Sequence, residues 1–353
     1  MARGTVQTLI VCLVILPVGL TYGPSALAAD DEYLWEERQH WSFLPRRAAD
    51  LPAFSDPEDR SWIRGPIDAF VLSEQRSQGL RPAPEADRTT LVRRLFFQVT
   101  GLPPSPAATR AFVDDPAPDA YERLVDRLLA SPHYGEHWGQ HWLDVVRYAE
   151  TEGFEYDRHR PGAWRYRDYV IRSLNADMPF NQFVTEQLAG DELHPDDHDP
   201  LVAAGFHRLG PVRRNAGNAA VAFSRNEVLN ERTNAVGTTF LGLTVGWARC
   251  HDHMFDPIRQ ADYYRLQAFL SSSFETNLEL ASDDLKRDWE KRNKASSDEV
   301  DKIKEQLKPA TGKEEERLLT LLKAARARAP KPLPTISTVR NDAENRTPIH
   351  LLE

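Results

Sequence analysis

Apolar residues recur three and four positions apart through most of the chain after residue 60. Leu91, Leu95 and Val99 would share one face of a helix, and Gly101 followed by Pro103 ends that pattern. Comparable spacing predicts helices near residues 66–72, 119–129, 134–149 and 163–174. Alternation of apolar and polar residues, which is typical of strands, is scarce. The sequence therefore predicts a mainly α, multi-helix globular domain.

A different pattern covers residues 281–328, where charged residues are dense and apolar residues few. Val300, Ile303 and Leu307 form a thin apolar seam, and Leu318 and Leu322 resume it after an interruption that contains a proline and a glycine. This pattern is typical of an antiparallel helical hairpin with a solvated outer face, similar to a short coiled coil. We expect this appended charged hairpin to be a spacer or a partner-binding arm.

The N-terminus has the features of a secretory signal peptide. Arg3 precedes an apolar run from Leu9 to Leu20, and small residues follow at Ala26 and Ala28. Residues 1–28 are therefore predicted to be removed during export, which places the mature protein in the periplasm or outside the cell. No later segment has the roughly 20 apolar residues that a membrane-spanning helix needs.

These patterns predict an order of segments along the chain. The predicted segments are a signal peptide (1–28), an N-terminal strap (29–60), a helical domain (61–280), the charged hairpin (281–328), and a linker that leads into the start of a truncated further domain (329–353).

Charge and cysteine content narrow the function. The formal charge is −9, and removal of residues 1–28 takes away Arg3 and leaves −10, which argues against a nucleic-acid partner. The same removal takes away Cys12, so Cys250 is the only cysteine left and no internal disulfide can form. An unpaired thiol in an exported protein needs a reason, such as attachment to a cofactor or burial as a small apolar side chain.

The stretch around Cys250 reads VGWARCHDHMFDP, one residue away from the c-type haem motif C-x-x-C-H. Trp247 stands at the first cysteine position, so Cys250 could form only a single thioether to haem c, with His251 as the proximal ligand. The indole of Trp247 could lie on the edge of a porphyrin or fill the volume that the porphyrin needs. Three candidates for a distal ligand are Met178, His207 and Met254.

Two other interpretations of this stretch stay open. His251, His253 and Asp256, together with Cys250 and Asp252, crowd ligand atoms that suit zinc or iron, and a second segment could add His141 and Asp144, which share a helical face with His137. Alternatively, the two histidines of the stretch hydrogen-bond a buried Asp-Pro turn and no cofactor binds.

Charged and aromatic residues are also interleaved between residues 150 and 169. They could line a carbohydrate-facing or acid/base cleft, or they could form an ion-pair network around a loop. The pattern identifies no catalytic residue, so it leaves open whether the protein is an enzyme, a haem protein or a carbohydrate-associated scaffold.

Several blocks of the sequence resemble the planctomycete cytochrome-like domain family, second type, which consists of exported proteins without an established function. The resembling blocks are PIDAFVL (66–72), RRLFFQVTGLPPSP (93–106), DAYERLVDRLLASPHYGEHWGQHWLDVVRYAETEGFEYD (119–157) and NERTNAVGTTFLGLTVGWARCHDHMFDPIRQADYYRLQAF (230–269). Many members have C-A-R-C-H at the diagnostic position, and the resemblance implies a haem-binding, electron-transferring domain.

The resemblance also bears on partners. Members of the family commonly continue into a second planctomycete-specific domain, and RTPIHLLE (346–353) is similar to its opening residues. We therefore expect a redox or protein partner to bind through the 283–328 hairpin or through that further domain.

Overall fold

The computed structural model describes residues 33–154, 157–212 and 221–349, and most of them are helical. This confirms the prediction of a mainly α, multi-helix domain. The described residues divide into two compact units, one before and one from Asp50 onward, and the predicted signal peptide, residues 1–28, lies outside the described residues. In the first unit the described residues form helix α1 (Trp35–Arg38) and a 3₁₀ turn at Trp41–Phe43.

The second unit contains the remaining elements. Its helices are α2 (Pro57–Trp62), α3 (Pro66–Ser77), α4 (Arg88–Thr100), α5 (Pro106–Val113), α6 (Ala120–Leu129), α7 (Pro132–Val145), α8 (Trp164–Asn175), α9 (Phe180–Leu193), α10 (His198–Ala203), α11 (Val221–Val236), α12 (Gln260–Phe269), α13 (Asp283–Leu307) and α14 (Lys313–Ala327). Its strands are β1 (Ser273–Glu279) and β2 (Thr335–Asn341). Shorter turns lie at Ala204–Arg208 (3₁₀), Gly237–Leu241 (π) and Val245–Arg249 (3₁₀). Within the described ranges, no helix has both the length and the apolar character needed to cross a membrane.

Side chains at the helix ends explain where several helices begin and stop. The Asp87 carboxylate accepts the N–H of Thr90 at 2.9 Å, and the Ser105 hydroxyl accepts the N–H of Ala108 at 3.1 Å. These caps satisfy amide groups that the first turn of a helix leaves without partners. Gly101 adopts a φ of +69°, the left-handed conformation in which helices commonly end. The predicted end of α4 at Gly101 is thus confirmed.

The helix predicted for residues 134–149 is shorter at its C-terminal end than the sequence pattern indicates. It is α7, and it ends at Val145 because Arg147 has a φ of +59°, outside the helical region. The N–H of Tyr148 then bonds the carbonyl of Leu143 at 2.9 Å, which closes the end of the helix.

One core cluster joins α4, α5 and α6. Its buried residues include Leu95, Phe112, Leu124 and Leu128. The spacing of leucines in α6 predicts that Leu129 also points inward, but it is 43% exposed, because it follows Leu128 directly and so lies about 100° further around the helix. A larger cluster lies under α8 to α11, and its buried residues are Val146, Tyr166, Tyr169, Val170, Phe183, Leu201, Val202, Ala203, Phe206, Leu209, Ala235, Val236 and Ile336.

The two strands form an antiparallel pair in which Thr276 lies opposite Thr338. Two arginines of α11 hold the first strand against the helices. Arg225 and Arg232 both donate to the carbonyl of Ser273, at 2.8 and 2.7 Å. Burial lowers the pKa of Arg232 to about 10. Its guanidinium donates hydrogen bonds to the carbonyl oxygens of His207 and Ser273.

The predicted hairpin is present between these strands. Helices α13 and α14 pack mainly against each other, and the α14 side of the seam buries Leu318, Leu322 and Ala325. The Arg328 side chain bonds Glu299 at 2.8 Å across the pair. Because only residues 308–312 connect the two packed helices, they run antiparallel. The arm therefore extends from the end of the two-stranded sheet.

Candidate functional site

The stretch that carries Cys250 and His251 lies on a small core of its own. Val245 and Ala248, on the inner side of the 3₁₀ turn, pack with Ile258 and Tyr263, and all four are buried. A Cβ added at Gly237 would come within 2.3 Å of a Val245 methyl, so the glycine permits this close approach. The turn is therefore a packed element with one buried and one outward side.

The outward side presents Trp247 and Cys250 together. In a 3₁₀ turn, residues three positions apart lie above one another. Trp247 and Cys250 are three positions apart, so their side chains lie on the same side of the turn. Trp247 is 64% exposed and Cys250 is exposed. The indole is therefore largely exposed to solvent, on the same side of the turn as the thiol.

The His251 ring donates a hydrogen bond within its own loop. Its Nδ1 lies 2.7 Å from the backbone carbonyl of Asp252. A carbonyl only accepts hydrogen bonds, so Nδ1 is the donor here, and in the neutral ring Nε2 is the nitrogen with the lone pair. Within the described residues, Nε2 has no hydrogen-bond partner. Histidines that bind metals commonly donate their other ring N–H in this way, because the bond fixes the ring and the tautomer.

Cys250 and His251 line an open depression of about 500 Å³. The residues around it are Asn234, Thr238, Thr244, Gly246, Trp247, Cys250 and His251. The Oδ1 atom of Asn234 is buried and has no hydrogen-bond partner in the described part of the chain. The depression thus combines small polar side chains with one thiol, one indole and one available imidazole nitrogen.

His253 uses both of its ring nitrogens inside the loop. Its Nδ1 accepts the N–H of Asp256 at 2.9 Å, and its Nε2 lies 3.0 Å from Thr244 Oγ1. The side chain is 5% exposed, and the Asp256 carboxylate lies 3.5 Å from Nδ1. The structure therefore places His253 and Asp256 together as parts of the Asp-Pro turn.

Other contacts fasten the loop to α12. The Asp252 carboxylate accepts the N–H of Gln260 at 2.8 Å, at the first residue of that helix. The carbonyl of Arg249 accepts from the Gln260 side chain and the Tyr264 hydroxyl, both at 3.1 Å. Burial raises the pKa of Tyr264, which keeps its hydroxyl protonated as a donor. Cys250 and His251 are thus held between two fixed points.

The proposed second segment lies on α7. His141 and Asp144 are exposed there, and the His141 ring is 5.1 Å from the ring of His137. Helix α7 packs mainly against α4, α6 and α8, whereas the Val245–Arg249 turn packs mainly against α11 and α12. Across the described ranges, no three His, Cys, Asp or Glu side chains form a group that could hold a metal ion.

The three candidates for a distal ligand have other surroundings. The Met178 sulfur lies 3.9 Å from the Tyr169 hydroxyl, and His207 is buried with Nε2 3.1 Å from the carbonyl of Leu188. Met254 is 72% exposed. None of these three lines the depression beside His251.

Charges pair with one another in the described part of the segment between residues 150 and 169. Arg167 and the Tyr148 hydroxyl both bond Glu150, at 3.2 and 2.9 Å, and Arg160 donates to the carbonyls of Leu209 and Gly210. Residues 155 and 156 lie outside the described residues. The geometry here favours an ion-pair network around a loop.

Fold and loop together define a mainly helical domain with a solvent-facing Cys-His turn. The chain belongs to the PSCyt2 family, described as a protein of unknown function (DUF1549), whose model matches residues 66–275. The matched region includes the whole loop and confirms the family resemblance. No curated protein and no solved structure matches the chain significantly.

Sequence reasoning identified Cys250, His251 and His253 but missed Thr244 and Asn234. Both belong to the family-like block 230–269, yet neither carries a motif of its own. Thr244 and Asn234 line the depression only because the turn folds back on α11. The spacing of residues along the sequence does not reveal this fold.

Proposed function

We propose that this chain is an exported haem protein in which Cys250 would hold the cofactor through one thioether bond, formed by adding its S–H across a vinyl group of the haem, and His251 would bind the iron. The hydrogen bond from His251 Nδ1 to the Asp252 carbonyl carries this proposal, because it leaves Nε2 as a lone-pair donor next to the Cys250 thiol. Haem bound there would supply one-electron chemistry, so electron transfer or haem-based sensing is the role we infer.

The shape of the turn supports the attachment. Its 3₁₀ geometry puts positions 247 and 250 on one side, the arrangement that a two-cysteine motif needs to reach one porphyrin. Trp247, Cys250 and His251 line one open depression of about 500 Å³. In this proposal Cys250 tethers the ligand, His251 orients it, and Trp247 covers one edge.

Neither Met178 nor Met254 nor His207 lines the depression, so within the described part of the chain His251 is the residue that would bind the haem iron. A zinc or iron site without porphyrin has less support. His253 already uses both ring nitrogens, and His141 and Asp144 belong to a helix that packs elsewhere.

Denaturing mass spectrometry of protein exported together with a bacterial haem-attachment system tests the proposal. The mature wild-type chain should gain the mass of one haem, and Cys250→Ser should gain none. A wild-type chain that carries stoichiometric zinc or iron and no haem would contradict the proposal.

A further inference from the structure

Thr244 lies at the edge of the depression and is linked to His253. Since His253 Nδ1 accepts the N–H of Asp256 at 2.9 Å, the ring proton of this histidine sits on Nε2. That N–H is donated to Thr244 Oγ1, 3.0 Å away. Thr244 is therefore the acceptor toward His253, and its own hydroxyl proton points elsewhere. Within the described residues, that proton meets no acceptor.

The link is rigid because His253 is fixed at its backbone and at its ring. Its N–H bonds the carbonyl of Ile258 at 2.8 Å, and Ile258 is buried in the cluster beneath the turn. The His253 side chain is only 5% exposed. His253 thus fixes the position of the Thr244 hydroxyl oxygen, and a hydroxyl held in place binds its acceptor at a lower entropic cost than one on a mobile side chain.

We infer that Thr244, oriented by His253, donates a hydrogen bond to a carboxylate of the ligand held at Cys250 and His251. The inference rests on the proposed function and deepens it, since haem carries two carboxylate side chains that can accept such a bond. Asp252, the acidic residue next to His251, does not accept the Thr244 proton, because its carboxylate accepts the N–H of Gln260. His253 is thereby a positioning residue and Thr244 a binding residue.

The test uses porphyrins that differ only in these carboxylates. Mature Cys250→Ser protein, which cannot form a thioether, is titrated with haem and with haem dimethyl ester, and binding is followed by absorbance. Adding Thr244→Val to this protein removes the hydroxyl at nearly constant side-chain volume. Haem binding should then weaken roughly 5- to 10-fold, the effect expected for loss of one hydrogen bond to a charged group near solvent. Binding of the dimethyl ester should not change. Thr244→Ser retains the hydroxyl and should behave like its parent.

His253→Asn separates positioning from folding. The asparagine oxygen can still accept the N–H of Asp256, but no donor reaches Thr244. In protein that retains Thr244, we expect His253→Asn to reduce the ratio of haem affinity to dimethyl-ester affinity. In protein that already carries Thr244→Val, we expect His253→Asn to reduce this ratio no further.

The outcomes distinguish the two proposals. Equal haem affinity in the parent and in Thr244→Val overturns this inference alone. In a second outcome, the Cys250→Ser parent binds neither porphyrin, but the wild-type chain carries covalent haem. This outcome overturns the inference and leaves the proposed function standing. If neither covalent nor free haem binds, the proposed function fails and the inference fails with it.

Discussion

Trp247 occupies the position at which a c-type haem motif has its first cysteine, and its side chain is 64% exposed. Trp247→Cys restores two thiols on one side of the turn. If haem binds as proposed, we expect two thioethers to hold it in this variant, so that the vinyl group which a single thioether would leave conjugated is lost. The visible bands of the pyridine complex should therefore shift to shorter wavelength.

Trp247→Phe is the matched control for this substitution, because it removes the indole without adding a thiol. Its pyridine complex should match that of the wild type. A Trp247→Cys spectrum identical to the wild-type spectrum would show that residue 247 does not face the porphyrin.

For single residues, the sequence predicts reactive groups better than it predicts their partners. Cys250 and His251 follow from a spacing that is visible in the chain. His253 is a predicted ligand, and its bonds to Thr244 and to the Asp256 amide depend on how residues 244–256 fold. Residue types alone do not reveal which imidazole is left with a lone pair.

The 3₁₀ turn and the π turn that follows α11 approach each other at Gly237, whose added Cβ would come within 2.3 and 2.9 Å of the two Val245 methyls. Gly237→Ala should therefore destabilise the protein by about 2 kcal/mol, the usual cost of overfilling a packed site. The change should also reduce the proposed haem attachment, since Val245 is the first residue of the turn that leads into Cys250. Urea unfolding and haem content measure the two effects.

Gly65→Ala provides a control, because no atom lies within 4 Å of the added Cβ. It should cost less than about 1 kcal/mol and leave haem content unchanged. Equal stability of the two alanine variants would refute the close contact between Gly237 and Val245.

The helices are predictable from the sequence, whereas the sheet is not. Residues that determine a helical face lie within a few positions of each other, and caps such as Asp87 and Gly101 are local signals. The β1 and β2 strands pair residues 273–279 with 335–341 across the whole α13–α14 hairpin. No local pattern specifies such a distant partner, and the sequence places the second strand in a linker to a further domain.

The α13–α14 hairpin connects to the rest of the second unit at the sheet. At its base the N–H of Leu280 bonds the carbonyl of Pro334 at 2.8 Å, so the strand ends are close together. Replacing residues 283–331 with a short glycine-rich turn should remove helical circular dichroism but leave the melting temperature and haem content nearly unchanged. A deletion variant that loses haem would show that the hairpin helps to form the site.

The stability of the molecule should fall in mild acid because of His207. Burial, and secondly the charge of Arg232, lower the pKa of His207 to about 4, whereas an unfolded histidine titrates near about 6.5. As the pH falls between these two values, the unfolded chain takes up a proton that the folded chain excludes. Stability is therefore lost in this window, by at most about 3 kcal/mol.

His207→Gln checks this assignment, because glutamine can still donate to the carbonyl of Leu188 and has no proton to gain. Urea unfolding of this variant should depend less on pH between about 4 and 6.5. An unchanged slope would assign the acid sensitivity to other groups.

Covalent haem on the Cys250–His251 loop would give the whole molecule a colour that no solvent extraction removes. The protein is exported together with a working haem-attachment system and purified, and its absorbance spectrum is recorded before and after extraction with acidic acetone. We expect a Soret band that stays with the protein after extraction and is absent from Cys250→Ser. A colourless wild-type protein, or a band that the extraction removes completely, would contradict covalent attachment at Cys250.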